Sequence, residues 1–294
     1  MRLLSFIILC INILTFHSQN NDSTSVLFVG NSLTQYNKNK MITILKKFVS
    51  ESNAHLQIET EVKDGARLKT HTQFYFPTPK IGYSSGNDTV GATTMQRIIK
   101  GNYDYIVLQD PEWVIKERRE SRLYPRIKYI DSICKSMTNS KILFYETLPH
   151  YSKKPVTYCY GCSGVFSGSA PDSIKLSPIE ITYSTVQQEL DTILAVGNEL
   201  ETSIAKGSQV IPTAKIITKL YLSNPNLKMT IIAGHPSKIV QYTLAVIFYT
   251  YLTNKNPNDL KWNYKLNKKL ANEIKKVVYD YYKENTTYNN GYKS

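Results

Sequence analysis

Arginine, cysteine and histidine are scarce in this chain, and no apolar run in it is long. Arg occurs only at 2, 67, 97, 118, 119, 122 and 126, against 36 basic residues in all. The other cations are Lys spread through the sequence, so the net charge of +13 is not gathered into a basic arm. The densest basic stretch, 116–126, carries Glu117 and Glu120 among its bases. No nucleic-acid module is present, and a nucleic-acid partner is excluded on that ground. Four Cys in 294 residues are too few for a disulfide scaffold, and their spacing with His matches no standard zinc knuckle. Glycines do not form a phosphate-cradling or dinucleotide-binding loop. Neither a metal nor a cofactor is expected. The longest apolar run, 3–16, is broken by Ser5, Asn12 and Thr15 and falls short of the ~20 residues that a membrane span needs.

That short run follows Met1-Arg2, and a positive start before a short apolar stretch reads as a secretory signal peptide over 1–20. The expected location is therefore secreted or periplasmic, with no stable membrane span after cleavage. Leu9 precedes Cys10 where a lipoprotein site requires a small residue, so Cys10 is not read as acylated. Export leaves Cys134, Cys159 and Cys162. The last two frame a Cys-x-x-Cys in a stretch holding Gly161, Gly164, Gly168 and Pro171, and a local disulfide pinning that loop is the expectation.

Beyond the leader, strands and helices alternate. Apolar runs at 25–29 and 103–108, alternation at 56–62, and short apolar runs at 141–146 and 208–211 read as five strands. Helical spacing follows each: 41–51, 94–100, 124–137, 183–206, 213–222, then 237–252 and 267–283. The pattern predicts an α/β fold, a five-stranded parallel sheet with helices on both faces. One domain is expected over 25–285, with a Pro-, Gly- and Ser-rich loop insertion at about 149–178. In such folds the chemistry sits beyond the carboxyl ends of the strands.

Two of those ends stand out. Ser32 follows the first strand in Gly30-Asn31-Ser32, where a strand turning into a helix exposes a hydroxyl beside unpaired backbone N–H groups. An ordinary helix cap would show the same residues. His235, in Gly234-His235-Pro236-Ser237 at the head of an apolar helix, is placed to act as a base for a serine. Of the five His, it alone is framed by Gly and Pro at a helix start.

Together these segments resemble the SGNH (GDSL) hydrolases. Val-Leu-Phe-Val-Gly-Asn-Ser-Leu-Thr at 26–34 resembles their first block, in the "GNSLT" form of an exported subgroup common in Bacteroidetes. Gly65 in Asp-Gly-Ala-Arg-Leu fits the second block, Val107-Leu108-Gln109 the third, and His235-Pro236-Ser237 the last. The resemblance implies a flavodoxin-like three-layer sandwich and an ester hydrolase that needs no cofactor. Ser32 would be the nucleophile and His235 its base. The Ser32 and Gly65 N–H groups and the Gln109 amide would hold the oxyanion, with a loop-orienting role as the alternative for Gln109. Asn31 and Trp113 would bind substrate, a small-molecule or glycan ester. Tyr75, Tyr158 and Tyr160 are further aromatics in strand-end loops where a sugar ring could stack. One position departs from the family. The Asp expected three residues before the histidine is Ile232, and no carboxylate occurs between Leu220 and His235. A non-catalytic carbohydrate-binding protein on the same fold is therefore the alternative function.

Overall fold

The computed structural model describes residues 23–72, 88–117, 119–160, 179–231 and 235–290. Five strands form one parallel sheet: β1 (Thr24–Gly30), β2 (Leu56–Val62), β3 (Tyr105–Leu108), β4 (Lys141–Tyr145) and β7 (Gln209–Ile211), in the order β2-β1-β3-β4-β7. Between β4 and β7 in sequence, β5 (Val156–Tyr160) and β6 (Ile179–Tyr183) form a separate antiparallel pair. The helices are α1 (Ser32–Glu51), α2 (Leu68–Thr72), α3 (Asp88–Lys100), α4 (Glu112–Glu117), α5 (Tyr124–Met137), α6 (Val186–Glu199), α7 (Thr213–Ser223), α8 (Lys238–Thr253) and α9 (Lys268–Asn290).

The central strands β1, β3 and β4 are apolar because both their faces are covered, while β2 at the edge alternates buried and exposed residues. Alternate residues of a strand point to opposite faces. Val26 and Phe28 of β1, Val107 of β3, and Leu143 and Tyr145 of β4 join the core under α1, α7, α8 and α9. Leu27, Val29, Ile106, Leu108, Ile142 and Phe144 join the core on the other face, with Met95, Ile98, Ile127 and Ile130. Helix α8 is buried on nearly every side, which explains why its sequence shows no polar stripe. It packs on α1 through aromatic edges. Phe48 meets Tyr242 at 5.6 Å and Tyr249 at 6.0 Å, while on the sheet Phe28 of β1 meets Phe248 at 5.0 Å. This packing matters for function, because α1 begins at Ser32 and α8 begins just after His235.

The sheet matches the expected strand count, direction and alternation with helices. Three local expectations are corrected. The 149–178 stretch is not all loop: 156–160 is strand and pairs with 179–183, where Thr157 faces Thr182 and Tyr158 faces Ile181. The helix expected from 183 starts at Val186, because Tyr183 belongs to β6 and Thr185 caps the helix by accepting the Gln188 N–H. The first helix starts at Ser32 rather than at 41. Its polar first half, with few apolar positions, hid the helical period. Among the described residues, no helix is long and apolar enough to cross a membrane. The signal-peptide segment lies outside the described residues, as do Cys10, Tyr75, Cys162 and Ile232.

Candidate active site

The strand order reverses direction between β1 and β3, and in open α/β sheets that is where a crevice forms. Ser32 stands at the end of β1 on this crevice. It is the first residue of α1, and Asn31 is the cap: its Oδ1 accepts the Leu33 N–H at 2.9 Å. The N–H of a helix's first residue has no partner within the helix, so the Ser32 N–H points out of the helix start beside its own hydroxyl. Across the crevice, His235 Nε2 lies 3.2 Å from Ser32 Oγ, although 203 residues separate them in sequence. The chemistry of this pair is that of a hydroxyl and an acceptor nitrogen within proton-transfer reach.

The loop bearing Ser32 is tied from four directions. The Asn31 N–H donates to Gln109 Oε1 at 3.0 Å, and Asn31 Nδ2 donates to the Ala66 carbonyl at 3.1 Å. Thr34 Oγ1 bonds Tyr145 Oη at 2.9 Å and Gln109 Oε1 at 3.3 Å. His71 Nε2 donates to the Gly30 carbonyl at 3.0 Å, while its Nδ1 faces Thr94 Oγ1 at 2.9 Å. A carbonyl only accepts, so the ring proton is on Nε2. Burial keeps this ring neutral, pushing its pKa down to about 4. Gly30 is required here by close approach, since a Cβ would sit 2.8 Å from Gln109 Oε1 and 2.9 Å from Thr34 Oγ1.

Gly65 occupies the tip of the turn after β2. The Ala66 N–H returns to the Lys63 carbonyl at 3.0 Å, and Gly65 takes φ +68°, a left-handed conformation that favours glycine. The bond from Asn31 to Ala66 ties this turn to the serine loop. Asp110 holds the turn's far side: its Oδ1 accepts the Leu68 N–H at 3.1 Å. Burial pushes the Asp110 carboxyl up to about 7, against the pull of that N–H and of Arg67 and Arg122.

Backbone bonds fix the segment that carries the histidine. The Ile231 N–H donates to the His235 carbonyl at 2.8 Å, and the Ser237 N–H donates to the Met229 carbonyl at 2.9 Å. Thr230 and Pro236 form an antiparallel bridge between them. Ser237 then caps α8, its Oγ accepting the Val240 N–H at 3.3 Å.

Between the two sides lies a small cleft, with a cavity volume of about 40 Å³. Leu33, Tyr145, Leu148, Pro236 and Leu244 supply its apolar lining, and Glu112, Thr147, His150, Tyr158 and Thr230 its polar one. A buried ion pair anchors the outer rim. Lys116 Nζ meets Glu189 Oε1 at 2.5 Å with both side chains out of solvent. Glu189 also accepts the Tyr158 hydroxyl at 2.8 Å and the His150 N–H at 2.8 Å. Lys116 Nζ lies 3.7 Å from the centre of the Tyr158 ring, a cation–π contact.

The structure thus brings Ser32 and His235 together and ties Gly65 and Gln109 to the same loop. Asn31 is buried, and both its polar side-chain atoms bond within the protein, so it braces the serine loop. Gln109, 1% exposed, accepts two bonds through Oε1 and donates from Nε2 to the Asp110 carbonyl at 2.7 Å, an arrangement that orients the loop. Its amide retains one further N–H. Trp113 lies on α4, with its side chain outside the described residues, as is that of Tyr160. Cys159 is disulfide-bonded, and Cys162 lies outside the described residues. Cys134 is a buried free thiol. Of the acids near strand ends, Glu146 caps α7, accepting the Lys215 N–H at 3.2 Å, and Glu112 reaches the cleft. His71, Tyr145, Thr147 and the Lys116–Glu189 pair were not identified from sequence. Thr147 alone had an available signal, its position two residues past the end of β4.

Neither family models nor curated proteins match the chain. Solved structures do. A DUF4886 family protein from Bacteroides uniformis is 12% identical, with a TM-score of 0.61 over 87% of this chain and 93% of that one. A protein from Slackia heliotrinireducens assigned as an SGNH hydrolase is 14% identical, with a TM-score of 0.52 over 79% of this chain and all of that one. The chain has the SGNH hydrolase fold.

Proposed function

We propose that the protein is an exported serine ester hydrolase that removes acetyl or similar short acyl groups from a carbohydrate or related ester. The observation that carries this reading is the 3.2 Å approach of His235 Nε2 to Ser32 Oγ at the head of a helix. Ser32 Oγ attacks the ester carbonyl carbon as His235 Nε2 takes its proton. The carbonyl oxygen becomes an oxyanion beside the helix start, where the Ser32 N–H and the positive end of α1 favour negative charge. The Gly65 N–H and the remaining Gln109 N–H are its further donors. Collapse of this intermediate breaks the bond to the alcohol, which leaves with the proton from His235. A water then gives its proton to His235, attacks the acyl-serine, and releases the acid as the proton returns to Ser32.

The small cleft supports a short acyl group, and the polar rim supports a polyhydroxy alcohol part. Hydrolysis of a short-chain aryl acetate by the wild-type protein and by Ser32→Ala tests the reading. Turnover in the first and loss in the second, with unchanged circular dichroism, is expected. Equal turnover in both removes Ser32 as nucleophile, and a wild type inert on all esters leaves a binding protein.

A further inference from the structure

The cleft beside the catalytic pair is lined by a threonine whose buried hydroxyl finds no partner among the described residues. Thr147 lines the cleft and is 1% exposed, and its Oγ1 has no hydrogen-bond partner among the described residues. Leaving a buried hydroxyl unbonded is costly, so such an atom in a cleft points to a ligand. The neighbouring groups narrow the choice. Tyr145, on the same wall, has its hydroxyl on Thr34 and so presents its ring. With Leu33, Leu148, Pro236 and Leu244 it makes an apolar lining around the threonine, and the Glu112 carboxyl shares the cleft. A volume of about 40 Å³ exceeds the roughly 10–15 Å³ that one water needs, and is well below the roughly 150 Å³ of a cavity that takes benzene. A carbon or two bearing one hydroxyl fits both the space and the chemistry.

We propose that Thr147 is a specificity-determining residue, whose hydroxyl bonds a hydroxyl group of the ester substrate seated in this cleft. This rests on the reading of Ser32 and His235 as an ester-hydrolysing pair. The substrate hydroxyl has two possible sources: the acyl part, as in a 2-hydroxyacyl ester, or the alcohol part, as in a sugar with free hydroxyls. Both present the same donor and acceptor to Thr147 Oγ1.

The test compares wild type, Thr147→Val and Thr147→Ser on three substrates. They are 4-nitrophenyl acetate, 4-nitrophenyl glycolate, and a mono-acetylated methyl xyloside with its other hydroxyls free. Valine keeps the shape and removes the hydroxyl, while serine keeps the hydroxyl. The loss of one neutral hydrogen bond corresponds to about three- to tenfold. Valine is expected to lower kcat/KM by that factor more on a hydroxyl-bearing ester than on the aryl acetate, with serine restoring it. A selective loss on the glycolate assigns the acyl part, and on the xyloside the alcohol part. An equal factor on all three substrates overturns the proposal. In the unliganded protein Thr147→Val is expected to leave Tm unchanged or raise it, because it deletes an unsatisfied group; a clear fall in Tm reveals an internal partner and also overturns it. If the wild type hydrolyses none of the esters, the hydrolase reading fails by itself. Calorimetric binding of the acetylated xyloside to Ser32→Ala, with and without Thr147→Val, then decides: weaker binding with valine supports the hydroxyl contact, and equal or undetectable binding rejects it.

Discussion

The two sides of the cleft are built by different means. On the serine side, side chains do the positioning: Asn31, Gln109, Thr34, Tyr145 and His71 converge on the stretch 30–34 at the end of β1, and all are buried. On the histidine side, backbone bonds fix the segment: a short bridge between Thr230 and Pro236 and a capped helix frame His235, which is half-buried. A site built from side chains is sensitive to single substitutions. One built from backbone tolerates them so long as the helix and bridge form. The comparison predicts where activity and stability should be fragile.

The largest effects belong to the pair itself. Ser32→Ala and His235→Ala should each lower kcat on an aryl acetate by about 10⁴-fold or more, and the double variant should be no worse than either, because the two act as one unit. Additive losses in steady-state kinetics would show that they act separately.

The cleft rim is held by a side-chain ion pair as well. Lys116→Met leaves Glu189 buried and unpaired under Tyr158 and His150. Breaking such a pair costs roughly 3–5 kcal/mol, measurable by urea denaturation. A loss below about 1 kcal/mol would show that water reaches the pair.

Asp110 sharpens the comparison through pH. Its carboxyl pKa is raised to about 7 by burial, above the ordinary 3.8 that the unfolded chain retains. The folded state therefore holds this proton more tightly. The stability it contributes is full below about pH 4 and is lost as pH rises through about 7. Asp110→Asn keeps an oxygen for the Leu68 N–H and cannot ionise. Its Tm relative to wild type should rise between pH 5 and pH 8; a difference constant with pH would contradict the burial argument.

The smallest effect is expected at Ile232. Loss of the acid in a serine triad costs about 10⁴ in kcat. The His235 backbone is fixed by its own bridge and its ring already faces Ser32. Ile232→Asp is accordingly expected to raise kcat less than about tenfold. A gain of roughly 100-fold or more would show that the natural site lacks an orienting partner, and would favour the carbohydrate-binding alternative.

The same difference explains what was legible in the sequence. Side-chain positioning leaves a signature, so Gly30-Asn31-Ser32-Leu33-Thr34 and Leu108-Gln109 could be read as parts of one site. Central strands covered on both faces show as apolar runs, and the edge strand β2, half exposed, shows as alternation, which is why all five sheet strands were found. The β5–β6 pair was hidden because Tyr158, Cys159 and Thr157 lie among Gly, Ser and Pro and carry no clean alternation. His71 sits in a five-residue helix too short for any period, so its bond to Gly30 was invisible. The Lys116–Glu189 pair joins residues 73 positions apart with no local trace. Asn31 was legible as part of the site, but its bonds to Leu33 and Ala66 were not, because the second joins residues 35 positions apart.

The central claim is that Ser32 is an activated nucleophile, and labelling with a fluorophosphonate followed by intact-mass measurement and peptide mapping tests it most directly. The account predicts one covalent adduct, on Ser32, abolished by Ser32→Ala and strongly slowed by His235→Ala. No adduct, or an adduct on another serine with Ser32 unmodified, would contradict it.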